Sequence, residues 1–244
     1  LIRKCDDAGA PLLWLGEQVR IEAGSASADS PVFAVHTPAA SYENLTLGVL
    51  GSHQRENAAA AVAAAELFLK NRHGDLPDPA LVRKALREAR QPGRIEVLFR
   101  RPYLVVDVAH NAISLEVLVR TVRSELRFRH LHVLFACASD KDVSALVKRL
   151  EEYADRWTLT TFDFPRLEAP SRIRDRIREI HPDADVRVTR NPDEALEDAR
   201  LRSGPEDCIL CCGSFYLAGE IFQRIPASIT MEGGSGQNRA TQFR

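Results

Sequence analysis

The sequence predicts an α/β fold whose larger part is a Rossmann-like domain built on a mostly parallel sheet. From Gln91 onward, short apolar runs alternate with amphipathic stretches at regular intervals, the order of strand and helix expected of βαβ units. The runs "YLVVDV", "LHVLFACA" and "DCILCCG" are apolar at almost every position rather than at every second one, as strands covered on both faces require. A change of texture near residue 90 separates this part from a shorter one before it. Residues 1–90 therefore read as a first unit, 91–225 as the Rossmann-like domain and 226–244 as a tail.

In the first unit, "PLLWLG", "PVFAVH" and "LTLGVL" are short apolar runs parted by Gly, Ser, Ala and Asp between Leu1 and Leu50, which predicts strands joined by turns. Ser52 is placed to cap the alanine-rich "HQRENAAAAVAAAELFLKNRHG", a helix that should end between Asn71 and Gly74. A second helix should start at Asp78, with Pro79 in its first turn, and run to about Arg90.

After "QPGR" come the strands "IEVLF" and "YLVVDV" and a helix from Ser114 through Leu126. The strand "LHVLFACA" and a helix from Asp142 through Tyr153 follow, then "RWTLTTF" and a helix from Ser171 through Ile180. "DVRVTR" is the next strand, Asn191 and Pro192 open a short helix, and "DCILCCG" precedes a final helix in "FYLAGEIFQRI". The tail "TMEGGSGQNRATQFR" has too little apolar content to offset its ordering entropy and is expected to be disordered.

Of 244 residues, 45% are hydrophobic, enough for two modest cores. Lysine and arginine total 33 against 34 acids, a net charge of −1 with no long run of one sign, so neither a nucleic acid nor a membrane surface is indicated as partner. There is no apolar stretch long enough to cross a bilayer and no signal-peptide pattern at Leu1, so a cytoplasmic protein is expected. Cys208 and Cys211 have CxxC spacing, but among five cysteines no second pair accompanies them, and buried reduced thiols rather than a metal site are expected. The sequence starts at Leu1 and its only methionine is Met231, which reads as part of a longer product.

Four places carry candidate chemistry. In "VVDVAHNAIS" an acid, an imidazole and an amide, Asp107, His110 and Asn111, follow a buried strand directly, and ligands of open parallel sheets bind outside the carboxyl ends of strands. Asp107 could accept bonds from ribose hydroxyls and His110 could meet a ligand, or Asp107 and Asn111 could simply satisfy the turn and cap the helix. Arg94 of "QPGRIE" could grip a phosphate or be a surface charge. His53, Gln54 and Asn57 of "GSHQREN" open a helix, with 53 and 57 on one face, or are ordinary first-turn polarity. Gly213 and Ser214 of "GSFYLAGE" could let the backbone approach a carboxylate or make a turn.

Together with "LGVLGSHQRENAAAAVAAAELF", "ASDKD", "FPR" and "CCGSFYLAGEI", these motifs, spread from Leu45 to Ile221, resemble the folylpolyglutamate synthase and dihydrofolate synthase family of ATP-dependent Mur-type ligases. The resemblance implies an N-terminal ATPase domain with a P-loop, a smaller Rossmann-like ligase domain, and ATP in the cleft between them. Residues 1–90 would be the last strands and helices of that ATPase domain. By similarity Asn57 would face the adenine, Arg94 the phosphates and Asp107 the ribose, while His110 and Ser214 would position L-glutamate. Val108 and Ala112 stand where members usually have Gly and Pro.

The expected reaction joins L-glutamate to a folate or dihydropteroate carboxylate, using ATP and magnesium, in an enzyme that is monomeric when full-length. No G-x-x-x-x-G-K-[ST] occurs in the chain, so the phosphate loop and magnesium ligands are expected upstream of Leu1 and this portion alone is expected to be inactive. A noncatalytic binding module that keeps the ligase fold is the alternative. A nicotinamide-dependent dehydrogenase is disfavoured, because G-x-G-x-x-G does not follow the first strand of the Rossmann-like part.

Overall fold

The computed structural model describes residues 2–10, 12–24 and 32–225; the tail expected to be disordered, 226–244, lies outside the described residues. The chain divides into two compact units, Leu1–Arg90 and Gln91–Arg244.

The first unit opens with a short helix not anticipated from the sequence, α1 (Ile2–Ala8); none of its residues is buried. An antiparallel three-stranded sheet follows, in the order β1 (Arg20–Ala23), β2 (Phe33–His36), β3 (Ser41–Leu45). Only "PVFAVH" of the three expected strands is a strand. In "PLLWLG" the chain turns instead, because Gly16 takes a φ of +98° and the amides of Glu17, Gln18 and Val19 all donate to the Trp14 carbonyl. The strand itself is the more polar "RIEA" that follows, an edge strand with little burial to mark it. "LTLGVL" contributes only Leu45. The pairing segment lies just before it, where Tyr42 and Leu45 point into the core.

The long helix α2 (His53–His73) buries Ala58, Ala59, Val62 and Ala63 against this sheet, one face of small side chains that lets the helix lie close. Ser52 occupies the N-cap position in a helical conformation and makes no capping bond, contrary to expectation. Gly74 ends the helix in the left-handed conformation, its N–H donating to the Lys70 carbonyl. The helix α3 (Pro79–Glu88) starts where expected, with the Asp78 carboxylate accepting from the Ala80 N–H.

In the second unit six strands form one sheet. They are β4 (Glu96–Arg100), β5 (Tyr103–Val106), β6 (Leu131–Phe135), β7 (Arg156–Leu159), β8 (Val186–Val188) and β9 (Cys208–Cys212), in the spatial order β4-β5-β9-β6-β7-β8. β4 runs antiparallel to β5 and every other pairing is parallel. The connecting helices are α4 (Ala112–Glu125), α5 (Val143–Glu151), α6 (Pro170–Ile180), α7 (Pro192–Leu201) and α8 (Phe215–Arg224).

From β5 to β8 the chain advances along the sheet, and at β9 it turns back to the centre. Right-handed crossovers then place α4, α5 and α6 on one face and α7 on the other. Contacts of α5 with α4 and α6, and of α7 with α8, agree with that split. β6 and β9 are buried at every position, which is why they read as continuous apolar runs. Leu104, Val106, Leu134, Ile209 and Cys211 form one core layer with Ala195 and Ala199 of α7 and Leu217 and Ile221 of α8.

Candidate functional site

The carboxyl ends of β5 and β9 lie side by side, and the segments leaving them are stitched together. The Gly213 N–H donates to the Ala109 carbonyl at 2.8 Å. Gly213 has a φ of +104°, and a Cβ there would collide with the Phe135 ring and lie 2.5 Å from the Ala136 carbonyl oxygen, so glycine is required both for conformation and for close approach. The result brings His110 and Ser214 to one edge of the sheet, with the His110 ring packed on Phe215 at 5.2 Å between centroids.

His110 is half-buried, and its Nδ1 lies 3.0 Å from the Val108 carbonyl. A carbonyl only accepts, so Nδ1 carries the proton and Nε2 is the nitrogen left for a ligand. Ser214 is buried at the N-cap of α8, where its Oγ accepts from the Tyr216 N–H. Its hydroxyl hydrogen remains available to a carboxylate.

Asp107 is more committed than the sequence suggested. It is buried, its Oδ2 accepts from the Ile95 N–H at 2.8 Å and its Oδ1 from the Ala109 N–H at 2.6 Å. Ile95 holds a φ of +45°, strained for a β-branched residue, and the bond to Asp107 helps keep it there. The Val108 N–H donates to the Gly93 carbonyl, so "QPGRIE" and "VVDVAHN" form one knot. From that knot Arg94 projects exposed, with no ion pair or side-chain hydrogen bond among the described residues.

Asn111 caps α4, accepting from the Ser114 N–H at 2.9 Å while Ser114 Oγ accepts from the Asn111 N–H, a reciprocal capping box. The helix therefore begins at Ala112, two residues before the expected Ser114. Ala112 takes the first helical position, one that proline also suits, and Val108 packs into the core beside Gly93. Neither departure from the family pattern disturbs the local backbone pairing.

Sequence reasoning missed an aromatic file at the same edge. Phe164 stacks on Tyr216 at 4.0 Å, with Phe162 beyond it and the Arg166 guanidinium over the Phe164 ring. Phe162 ends "RWTLTTF", Phe164 and Arg166 belong to "FPR" and Tyr216 to "GSFYLAGE", but their meeting depends on the sheet. "ASDKD" joins them, since the Ser139 N–H donates to the Arg166 carbonyl and Ala138 bridges Leu167. The motif segments after β5, β6, β7 and β9 thus all lie at the carboxyl edge.

Asn57 belongs to the first unit. It is exposed, and its Nδ2 donates to Oε1 of the buried Gln54 at 2.9 Å, which fixes the amide and leaves one N–H and the carbonyl oxygen outward. The cysteines behave as buried thiols. Burial pushes Cys208 up to about 12 and holds Cys211 and Cys212 well above the usual thiol range. Among the described residues no three His, Cys, Asp or Glu side chains converge as metal ligands.

A mostly parallel sheet whose order reverses at its centre, with polar loops gathered at the carboxyl edge, defines an α/β domain of the doubly wound class. Residues 93–215 match the Mur ligase, glutamate ligase domain, and the chain belongs to that family. It is 31% identical over 193 residues to the dihydrofolate synthase/folylpolyglutamate synthase of Bacillus subtilis, covering 79% of this chain and 44% of the relative. Mycobacterium tuberculosis folylpolyglutamate synthase complexed with ADP superposes with a TM-score of 0.80 at 24% identity, over 92% of this chain and 51% of that one. The Yersinia pestis bifunctional folylpolyglutamate synthase/dihydrofolate synthase complexed with AMPPNP and Mn ion superposes with a TM-score of 0.72 at 22% identity, over 91% and 49%. The chain spans about half the length of these relatives.

Proposed function

We propose that this chain is part of an ATP-dependent amide ligase that adds L-glutamate to a carboxylate of folate or dihydropteroate. In that reaction the acceptor carboxylate takes the γ-phosphoryl group and becomes an acyl phosphate. The glutamate amine then attacks the acyl carbon, the C–N bond forms as the C–O bond to phosphate breaks, and the amine gives up a proton. The observation that carries the reading is the joining of the His110 loop to the Ser214 turn within the segment that matches a glutamate ligase domain.

His110 and Ser214 would position glutamate. The outward Nε2 of His110 would accept from its ammonium or, when protonated, donate to a carboxylate, and the Ser214 hydroxyl at the start of α8 would donate to a carboxylate. Arg94, exposed and with no side-chain partner among the described residues, fits the phosphates. Asn57 offers a donor and an acceptor side by side, the pattern an adenine edge can use. Asp107 would have to meet ribose with whatever accepting capacity its two backbone amides leave, and its stronger role is to hold the knot from which Arg94 projects.

Magnesium, bound with the nucleotide, would neutralise phosphate charge, and its ligands would come from outside the described residues. Residues 1–90 would be the end of the ATPase domain, and the intact protein a cytoplasmic monomer. Without a phosphate loop in its sequence, this chain should release no ADP in response to glutamate. Titration with L-glutamate, followed by NMR, tests the site directly. Shifts at the His110 imidazole and the Ser214 amide are expected, and their absence at saturating millimolar glutamate would refute the assignment.

A further inference from the structure

The opposite edge of the same sheet carries a second constellation that the ligase reading does not use. Where β4 ends and β5, β6 and β9 begin, the surface forms an open groove of about 550 Å³, within the volume range of small-molecule sites. Arg100 and Arg101 come from the β4–β5 turn, and Arg127 and Arg129 from the segment between α4 and β6. A strand of five residues spans roughly 17 Å, so this groove is well separated from His110 and Ser214.

Its charge is unbalanced. Among the described residues Glu206 is the one acid of the lining, and it is paired with Arg129, whose Nε lies 2.6 Å from its Oε2. Arg100, Arg101 and Arg127 are exposed, and their side chains have no ion pair or hydrogen bond among the described residues. Arginine is the chain's usual cation, so residue type alone says little. Elsewhere in this unit several arginines face acids, among them Arg172 with Glu168, Arg174 with Asp175 and Arg190 with Glu194, although the exposed Arg94 does not. On a chain of net charge −1, three uncompensated guanidinium groups around one groove repel one another and favour an anion between them.

Two rings complete the groove. Tyr103 and Phe128 are half-buried in its lining, and Phe128 is fixed by the Arg123 guanidinium, 4.6 Å from its centroid. A lone carboxylate could satisfy one guanidinium fork, whereas a di- or triphosphate offers several oxygens of high charge density to several forks at once. The rings supply a surface for a flat, partly apolar group beside those phosphates.

We propose that this groove binds a nucleoside di- or triphosphate at a site distinct from the ligase site. Backbone-amide NMR on this chain, titrated with ADP, pyrophosphate, adenosine or a tri-γ-glutamate peptide, reads the two sheet edges separately. ADP should shift Arg101, Tyr103 and Phe128 saturably, pyrophosphate more weakly, and adenosine hardly at all. The pair Arg100→Ser and Arg127→Ser should weaken the ADP response at these residues by about tenfold or more, without lowering the melting temperature, since both side chains are exposed. Arg94→Ala should leave that response unchanged, although it would impair phosphate binding at the opposite edge. The proposal is overturned if ADP shifts only the His110 and Arg94 region, if the groove variant binds ADP as well as the parent, or if tri-γ-glutamate binds as tightly as ADP.

Discussion

The imidazole of His110 and the ring of Phe215 meet at 5.2 Å with an interplanar angle of 52°, one residue being three past Asp107 and the other next to Ser214. The ring's Nδ1 is taken up by the Val108 carbonyl, which leaves Nε2 for a ligand. In an enzyme carrying this domain together with a phosphate loop, His110→Ala should raise the KM for glutamate much more than that for ATP. Equal impairment of both substrates, with a lower melting temperature, would mean that His110 only holds its turn.

Asp107 makes the converse prediction. Replacement by Ala removes the acceptor for the Ile95 and Ala109 amides, and two orphaned buried donors should cost about 2–4 kcal/mol of unfolding free energy. Urea denaturation measures it. A loss confined to nucleotide affinity, with stability intact, would show that the carboxylate serves the ligand instead of the loop.

Glycine substitutions separate close approach from ordinary flexibility. Gly213→Ala should be strongly destabilising, because φ is +104° and the new Cβ meets Phe135 and Ala136. Gly93→Ala should also destabilise, with Val108 Cγ1 2.7 Å from its Cβ and φ at +70°. Gly219, inside α8 with nothing within 4 Å, is the control, and Gly219→Ala should stabilise by up to about 1 kcal/mol. Thermal melts of the three variants check the order.

A buried network sets a pH dependence. The Thr158 hydroxyl donates to Asp198 at 2.6 Å, so its oxygen accepts from His132 Nε2–H, and His132 Nδ1 faces the Ser203 hydroxyl. Burial, with Arg202 nearby, pulls His132 down to about 4. A histidine depressed in the folded state leaves the unfolded chain binding the extra proton. Its contribution is therefore full above about pH 6.5 and is lost as pH falls towards 4, by about 3 kcal/mol. Burial pushes Asp198 up, but hydrogen bonds from Thr158 and Arg202 outweigh it and hold the carboxyl below its usual range, so its contribution is lost only at still lower pH. Denaturant unfolding at pH 7 and pH 4.5 should show the loss in the parent and a much smaller one in His132→Gln.

The second unit was legible because its strands are buried on both faces: "DCILCCG" can satisfy its apolar run only at the centre of a covered sheet, and β9 lies there. The first fifty residues were not, because β1 is a polar edge strand while the apolar "PLLWLG" turns at Gly16. At the site, the proximity of Asp107 and His110 was visible in sequence, but the Phe164–Tyr216 stack and the bond from Gly213 to Ala109 depend on strand order, which periodicity does not encode. The arginine groove escaped for the same reason, since its arginines lie in two separate short stretches, 100–101 and 127–129, that meet only at the strand starts.

The position of β9 also constrains how the sheet can be assembled as the chain leaves the ribosome. β5 and β6 emerge early, yet each bonds to β9 and neither bonds to the other. Until Cys208–Cys212 has been made, no strand can fill the place between β5 and β6, and the sheet cannot close. The last strand is thus the keystone of the sheet, since β4–β5 and β6–β7–β8 are joined only through it.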